Sequence, residues 1–144
     1  MANTTNFGWE TPDDTDLVKD GALAIRTLAG AIDTSFVGVS INAQTGTTYT
    51  AVLADGLNKV ITMDNASAND FKIPTDASVA FPVGTVLNVY CKGAGTTTIS
   101  AVTSGTTTVT SAGAVAASPT LATKKAASCL KIAANSWIVV GGIA

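Results

Sequence analysis

The sequence predicts a mainly β protein: an antiparallel β-sandwich or barrel-like domain preceded by one N-terminal α-helix. Two observations carry this reading. After about Phe36, short runs rich in Val, Ile, Thr and aromatics alternate with Gly, Asn, Asp and Pro, and no helical pattern intervenes. Before that point, a helix-start signal leads into apolar residues spaced by seven. Charge divides the chain at nearly the same place. Residues 1–33 hold six acids against Lys19 and Arg26, whereas residues 34–144 hold four acids against six lysines, with no carboxylate after Asp76. Two regions are therefore expected, an N-terminal arm and helix at 1–35 and a β domain at 36–144.

The helix is predicted to start at Thr11-Pro12-Asp13-Asp14. A hydroxyl suits the N-cap, proline the first helical position, and acids the positive end of the helix dipole. From there to Asp33 the apolar residues fall at Val18, Ile25 and Ile32, with Leu28 three after Ile25 and Ala22 and Ala29 alongside. Gly21 is expected to be the weak point, because glycine inside a helix costs about 1 kcal/mol relative to alanine. Two and a half heptads are too short for an independent coiled coil. Such a helix either packs on its own domain or forms a self-association seam, and the narrowness of the stripe favours the seam. Ahead of it, Phe7 and Trp9 sit in the polar leader Asn6-Phe7-Gly8-Trp9. They either fold back on the helix as a staple or serve as anchors on a partner.

Strands are predicted at Thr47–Leu53, Lys59–Met63, Asp70–Ile73, Thr85–Cys91, Thr96–Val102, Ser128–Ala133 and Ser136–Val140. Turn chemistry separates them at Asp55-Gly56, Asn65 to Asn69, Pro82-Val83-Gly84, Gly93-Ala94-Gly95, Ser104-Gly105 and Ala134-Asn135. Thr96–Thr98 followed by Ile99 recurs as Thr106–Thr108 followed by Val109, which reads as a hairpin. Residues 111–127 are rich in small side chains, interrupted by Pro119, and carry no assignable pattern.

Composition narrows the chemistry. The 144 residues hold no histidine, charged side chains at 12% of positions, and a net charge of −2. That removes the commonest general base and zinc ligand. One arginine and an acidic balance speak against nucleic acid, which needs clustered positive charge. No run of 18 apolar residues marks a membrane span. The start lacks the basic and apolar regions of a signal peptide, so the chain reads as made and assembled in a reducing cytoplasm, with Cys91 and Cys129 as buried apolar fillers. Ser128-Cys129-Leu130-Lys131 matches an S-x-x-K pattern, but in a strand its serine and lysine point to opposite faces. Gly93-Ala94-Gly95 starts a dinucleotide fingerprint that Thr98 breaks. Asp64, Asn65, Asn69 and Asp70 offer oxygen ligands of the kind calcium takes, without EF-hand spacing, and the sequence leaves open whether they bind an ion. No catalytic residue, metal site or cofactor is expected, and the chain does not read as an enzyme.

Several segments carry a resemblance. Asn6-Phe7-Gly8-Trp9, Thr11 to Ala22, Ile25-Arg26-Thr27-Leu28 and Ala31-Ile32-Asp33 resemble the N-terminal segment of many tailed-bacteriophage virion proteins. Thr48 to Asp55, Ile61 to Asn69, Ile73-Pro74, Phe81 to Thr85, Gly93-Ala94-Gly95 and Trp137 to Gly141 are similar to a β-rich module of phage fibre and decoration proteins. The chain departs from typical fibres in having no repetitive shaft. The resemblance implies a non-enzymatic homotrimer located in the virion. Its partners would be the major capsid protein, for a cement protein or short head fibre, or a tail or baseplate component, for a fibre with a receptor-binding β domain. A glycan-binding module or hydrolase is the least favoured reading. On the leading reading Val18, Ile25, Leu28 and Ile32 form the trimer seam, and Phe7 and Trp9 form the docking arm.

Overall fold

The computed structural model describes residues 2–4, 8–12, 17–36, 38–112 and 117–143. The chain forms two compact units, Met1–Val39 and Ser40–Ala144. In the first, β1 (Ala2–Asn3) and β2 (Glu10–Thr11) pair as a small antiparallel hairpin. A short 3-10 turn at Val18–Asp20 then runs into α1 (Gly21–Phe36). The helix therefore begins ten residues later than the sequence signal at Thr11, which is a strand residue. The acids Asp13 and Asp14 of that signal lie outside the described residues. Gly21 is the first residue of α1 rather than an interior one. The interior glycine is Gly30, on an exposed stretch of the helix. Gly38, two residues past the end, takes φ +141°, a conformation that stops a helix without strain because glycine has no Cβ.

The second unit is the sandwich-like β domain that the sequence predicts. Six strands, β3 (Ser40–Gln44), β5 (Lys59–Met63), β7 (Val86–Cys91), β9 (Thr108–Ser111), β11 (Ala126–Ala133) and β12 (Ser136–Gly141), form one sheet in the order β3-β5-β7-β11-β12-β9. Four strands, β4 (Thr48–Thr50), β6 (Asn69–Ile73), β8 (Thr97–Ala101) and β10 (Thr120–Leu121), form the other in the order β10-β8-β6-β4.

Strand direction differs from the antiparallel expectation. β3, β5 and β7 run parallel, as do β4, β6 and β8 and the pair β12–β9. Only β11–β12, β11–β7 and β10–β8 are antiparallel within this unit. From β3 to β10 the chain alternates between the sheets, so each strand's sequence neighbour lies in the opposite layer; its next-but-one neighbour lies beside it, except that β11 and β12 come between β7 and β9. Parallel strands need a crossover of a dozen or more residues. Here a strand of the other sheet supplies the crossover that a helix supplies elsewhere. For the same reason the Thr96/Thr106 similarity does not mark a hairpin: β8 and β9 belong to different sheets.

Between the layers lies a core built on alternation. Ile61 and Met63, Phe71 and Ile73, Leu87 and Val89, Ile99, Leu121, Trp137 and Val139 all point inward and are buried. Phe81 meets Trp137 edge-on at 5.5 Å between ring centres, the arrangement aromatic quadrupoles favour. Cys91 and Cys129 are buried, unpaired thiols within this core. Burial pushes the Cys129 thiol up to about 12. Residues 111–127, unassigned from sequence, supply the end of β9 and the short β10, while 113–116 lie outside the described residues.

Candidate functional site

The helix stripe is the sequence-predicted feature that the fold leaves most exposed. On α1 one face is covered: Ala24 is buried, and Gly21, Leu28, Ala31 and Ser35 are half-buried, at alternating spacings of three and four. Another face is bare. Ala22, Ile25, Ala29 and Ile32 are exposed, and Val18, in the 3-10 turn just before α1, continues their line. Val18 is 97% exposed and Ile25 63%. At 3.6 residues per turn the two faces are separated by about 100°. Of the four residues assigned to a seam, Val18, Ile25 and Ile32 therefore share the open stripe. Leu28 belongs to the covered face, because it falls four residues after Ala24 and three before Ala31.

Trp9 lies within the same unit and is half-buried. Its ring N–H donates to Ser35 Oγ at 3.1 Å, and its backbone N–H donates to Thr4 Oγ1 at 2.9 Å. Ser35 Oγ in turn donates to the carbonyl of Ala31. Trp9 thus folds back on its own helix, but on the last turn rather than on the first, where a staple sits. Phe7, the other residue of the expected docking arm, lies outside the described residues.

The oxygen-rich segment Asp64–Asp70 is committed to local structure. Asp64 pairs with Lys92 at 2.6 Å. Asn65 accepts from the Ser67 N–H through Oδ1 and donates to the Thr45 carbonyl through Nδ2. Asn69 accepts from Thr97 Oγ1, and Asp70 stands 3.8 Å from Lys72. Asn69 and Asp70 are consecutive residues of β6 and so point to opposite faces of the sheet. Among the described residues, no cluster of three or more His, Cys, Asp or Glu side chains is placed to hold a metal ion.

Gly93-Ala94-Gly95 has a packing role. A Cβ at Gly93 would strike the backbone of Asn65, and one at Gly95 would strike the carbonyl of Ser67. The two loops lie backbone to backbone, which only glycine allows. Gly95→Ala is expected to lower the urea unfolding free energy of the β unit by about 2 kcal/mol or more, as overpacking against fixed backbone does. An unchanged unfolding midpoint would show that the loops separate freely.

In Ser128–Lys131, the serine and lysine face opposite sides of β11, as the strand period requires. Ser128 donates to Asn88 Oδ1 at 2.7 Å on the outer surface. Lys131 is 3% exposed in the core, where its ammonium donates to Asp76 Oδ1 and to the Phe81 carbonyl, each at 2.6 Å. A second polar cluster surrounds the fully buried Asp55. Its carboxylate accepts from Asn42 Nδ2 and Tyr49 OH at 2.7 Å each and from the Val52 N–H at 2.9 Å. Both clusters tie loops to strands.

Compared with family profiles, curated proteins and solved structures, the chain has no match in any of the three. No helix among the described residues is long and apolar enough to cross a membrane.

Proposed function

We propose that this protein is a non-enzymatic structural protein of a tailed-bacteriophage virion, a homotrimer that decorates and stabilises the capsid. The observation that carries the association is the bare stripe of Val18, Ala22, Ile25, Ala29 and Ile32. Alternating steps of four and three are the spacing at which helices bury a shared seam. Burying one isoleucine is worth about 1.5–3 kcal/mol. Two isoleucines and a valine per chain therefore favour association of a short helix that would not be stable as a free coiled coil, with Ile32, 37% exposed, contributing least. The virion assignment rests on the residues that resemble phage decoration and fibre proteins. In such a role the chain acts by mass action, binding the assembled lattice and not its dissociated parts. Three linked copies turn weak contacts into firm attachment.

Two measurements test this. Quantifying the chain against the major capsid protein in purified particles is expected to give a copy number that follows the capsid lattice. A copy number matching a single tail would place it in the tail or baseplate, and absence from the particle would contradict the proposal. Ile25→Asp puts a charge into the seam and is expected to abolish both self-association and particle attachment while leaving the circular dichroism of the β unit unchanged. Retained association would remove the seam.

A further inference from the structure

The segment leading into β10 bridges the edges of the two sheets. The Pro119 carbonyl accepts the Ile99 N–H of β8, and the Ala117 N–H donates to the Val109 carbonyl of β9. β10 itself pairs with β8 only at Thr120–Thr98 and Leu121–Thr97. Proline has no N–H to give to a ladder, so pairing along this side of β8 stops at Pro119. Ser100 and Ala101, the last residues of β8, are therefore left without a strand beside them on that edge. A cleft of about 220 Å³ opens there.

Ala101 and Val109 give the cleft an apolar wall, and Lys72, Ser100, Ser104, Thr107 and Ser118 line the rest with polar groups. Two of these belong to the body of the domain: Ser100 is 8% exposed and Thr107 1%. Lys72 Nζ donates to Ser100 Oγ at 2.8 Å, whereas Asp70 stands 3.8 Å from it, beyond hydrogen-bond distance. An ammonium carries three donors, so Lys72 keeps two N–H groups uncommitted among the described residues. Ser100 Oγ, which accepts from the lysine, retains its own proton to give. Thr107 Oγ1 reaches the Pro74 carbonyl only at 3.4 Å, too long for a strong bond. One ammonium and a set of hydroxyls with spare bonding capacity thus surround a space that has an apolar side.

We infer that this cleft binds a single sugar ring carrying one carboxylate, a uronic acid. Size points to one ring: a cavity of about 150 Å³ holds benzene, so this cleft suits one six-membered ring with its substituents. The carboxylate pairs with the Lys72 ammonium, and such charge-assisted bonds are about twice as strong as neutral ones. Ring hydroxyls exchange hydrogen bonds with Ser100, Thr107, Ser104 and Ser118, while the C–H face of the ring rests on Ala101 and Val109. Charge selects the acid. Asp70, 3.8 Å from Lys72, offsets part of the ammonium field, so the site matches one negative charge. The second charge of a phosphate ester would face Asp70 without a partner. The inference goes beyond self-association and does not depend on it, because every residue of the cleft comes from one β unit.

The test records amide proton–nitrogen correlation spectra of the full chain during titration with glucuronate, glucose and a glucose phosphate. Glucuronate is expected to shift the amides of Ser100, Ala101, Thr107 and Ser118 saturably, with a dissociation constant on the order of 1 mM, the weak affinity of so small a ligand. Glucose and the phosphate ester are expected to bind at least tenfold more weakly. Lys72→Met keeps the apolar stem and is expected to reduce glucuronate to the affinity of glucose. If that variant fails to fold, Thr107→Val keeps the shape of the buried side chain and is expected to weaken glucuronate several-fold. Ile25→Asp is expected to bind glucuronate as wild type does, so loss of the helix seam and loss of this site are read separately. No saturable shift with glucuronate, shifts confined to other residues, or equal binding by Lys72→Met would overturn the site. Tighter binding of the phosphate ester would overturn the assignment of a carboxylate.

Discussion

Lys131→Ala is expected to destabilise the β unit by about 3 kcal/mol, because it removes a buried stem and two hydrogen bonds from a charged donor, while Asp76, whose side chain is 25% exposed, keeps access to water. Domains of this size have total stabilities of about 5–15 kcal/mol, so the loss is a large share. The reason lies in what the ammonium joins. Lys131 is 3% exposed on the core face of β11, and its Nζ binds both Asp76 and the Phe81 carbonyl. Asp76 Oδ2 accepts the N–H of Asn135, and the N–H of Asp76 returns a bond to Asn135 Oδ1. Asn135 itself holds φ +49° in the two-residue turn between β11 and β12. One lysine therefore fixes the loop before β7 and, through Asp76, the turn of the β11–β12 hairpin. Lys131→Met fills the same space without the charge and is expected to cost about 1.5–3 kcal/mol, the worth of hydrogen bonds to a charged group. Both values follow from urea unfolding monitored through Trp137 emission, with Trp9 replaced by Phe so that only the β unit reports.

This pair also sets an acid limit. Burial pushes the Asp76 carboxyl up, but the Lys131 ammonium and the Asn135 N–H outweigh it and hold the group below its ordinary value of 3.8. The folded state therefore binds that proton less readily than the unfolded state. Its contribution is complete above about pH 4 and is lost as pH falls through the lowered folded value. Asp76→Asn is expected to flatten this part of the acid-unfolding profile.

Asp55→Ala is the second large effect, with an expected cost of roughly 3–5 kcal/mol. Removing this carboxylate takes the shared acceptor from Tyr49 OH, Asn42 Nδ2 and the Val52 N–H, three part-buried bonds to a charged group worth about 1.5–3 kcal/mol each before water and the remaining Asn42–Tyr49 bond recover a share. Asn42 lies on β3 and Tyr49 on β4, so Asp55 ties the edge strands of both sheets to the 3-10 turn at Leu53–Gly56. Asp55→Asn does not rescue the site, because its amide NH₂ points a donor at a donor. The cluster has its own spectroscopic signature. Burial, and next the hydrogen bond to Asp55, push Tyr49 up to about 12. Its fold contribution is complete below about pH 10 and is lost as pH rises from there through 12. In Asp55→Asn the alkaline absorbance titration of this tyrosine is expected to shift back towards its ordinary value. A tyrosine that titrates ordinarily in the wild type would refute the cluster.

Much of the fold was legible because strand alternation and turn chemistry are local. Lys59–Met63 matches its strand end to end, and the strands at Asp70–Ile73, Thr85–Cys91, Thr96–Val102 and Ser136–Val140 match within one residue at each end. What local pattern cannot carry is which strand lies beside which. Sheet-to-sheet crossings such as that from β3 through β4 to β5 look the same in sequence as a meander, so the parallel pairing went unseen. The helix start misled for a related reason. Thr11-Pro12-Asp13-Asp14 is sound capping chemistry, yet Thr11 pairs with Ala2 across the hairpin instead. The polar clusters were partly readable. Lys131 shares its strand parity with Cys129 and Ala127, a sign of the core face that went unread, whereas Asp55-Gly56 looked like an ordinary turn because its partners Asn42 and Tyr49 arrive from other strands. Of the proposed seam, the seven-residue spacing of Val18, Ile25 and Ile32 selected the exposed stripe, and only Leu28 fell on the neighbouring face.

Sedimentation equilibrium of the intact chain across a wide concentration range bears most directly on the proposal that this protein works as an assembled structural trimer. The expected mass is three times the 14.4 kDa of the chain, reached at low concentration and reduced to the monomer by Ile25→Asp. A single species of monomer mass at every concentration would contradict it.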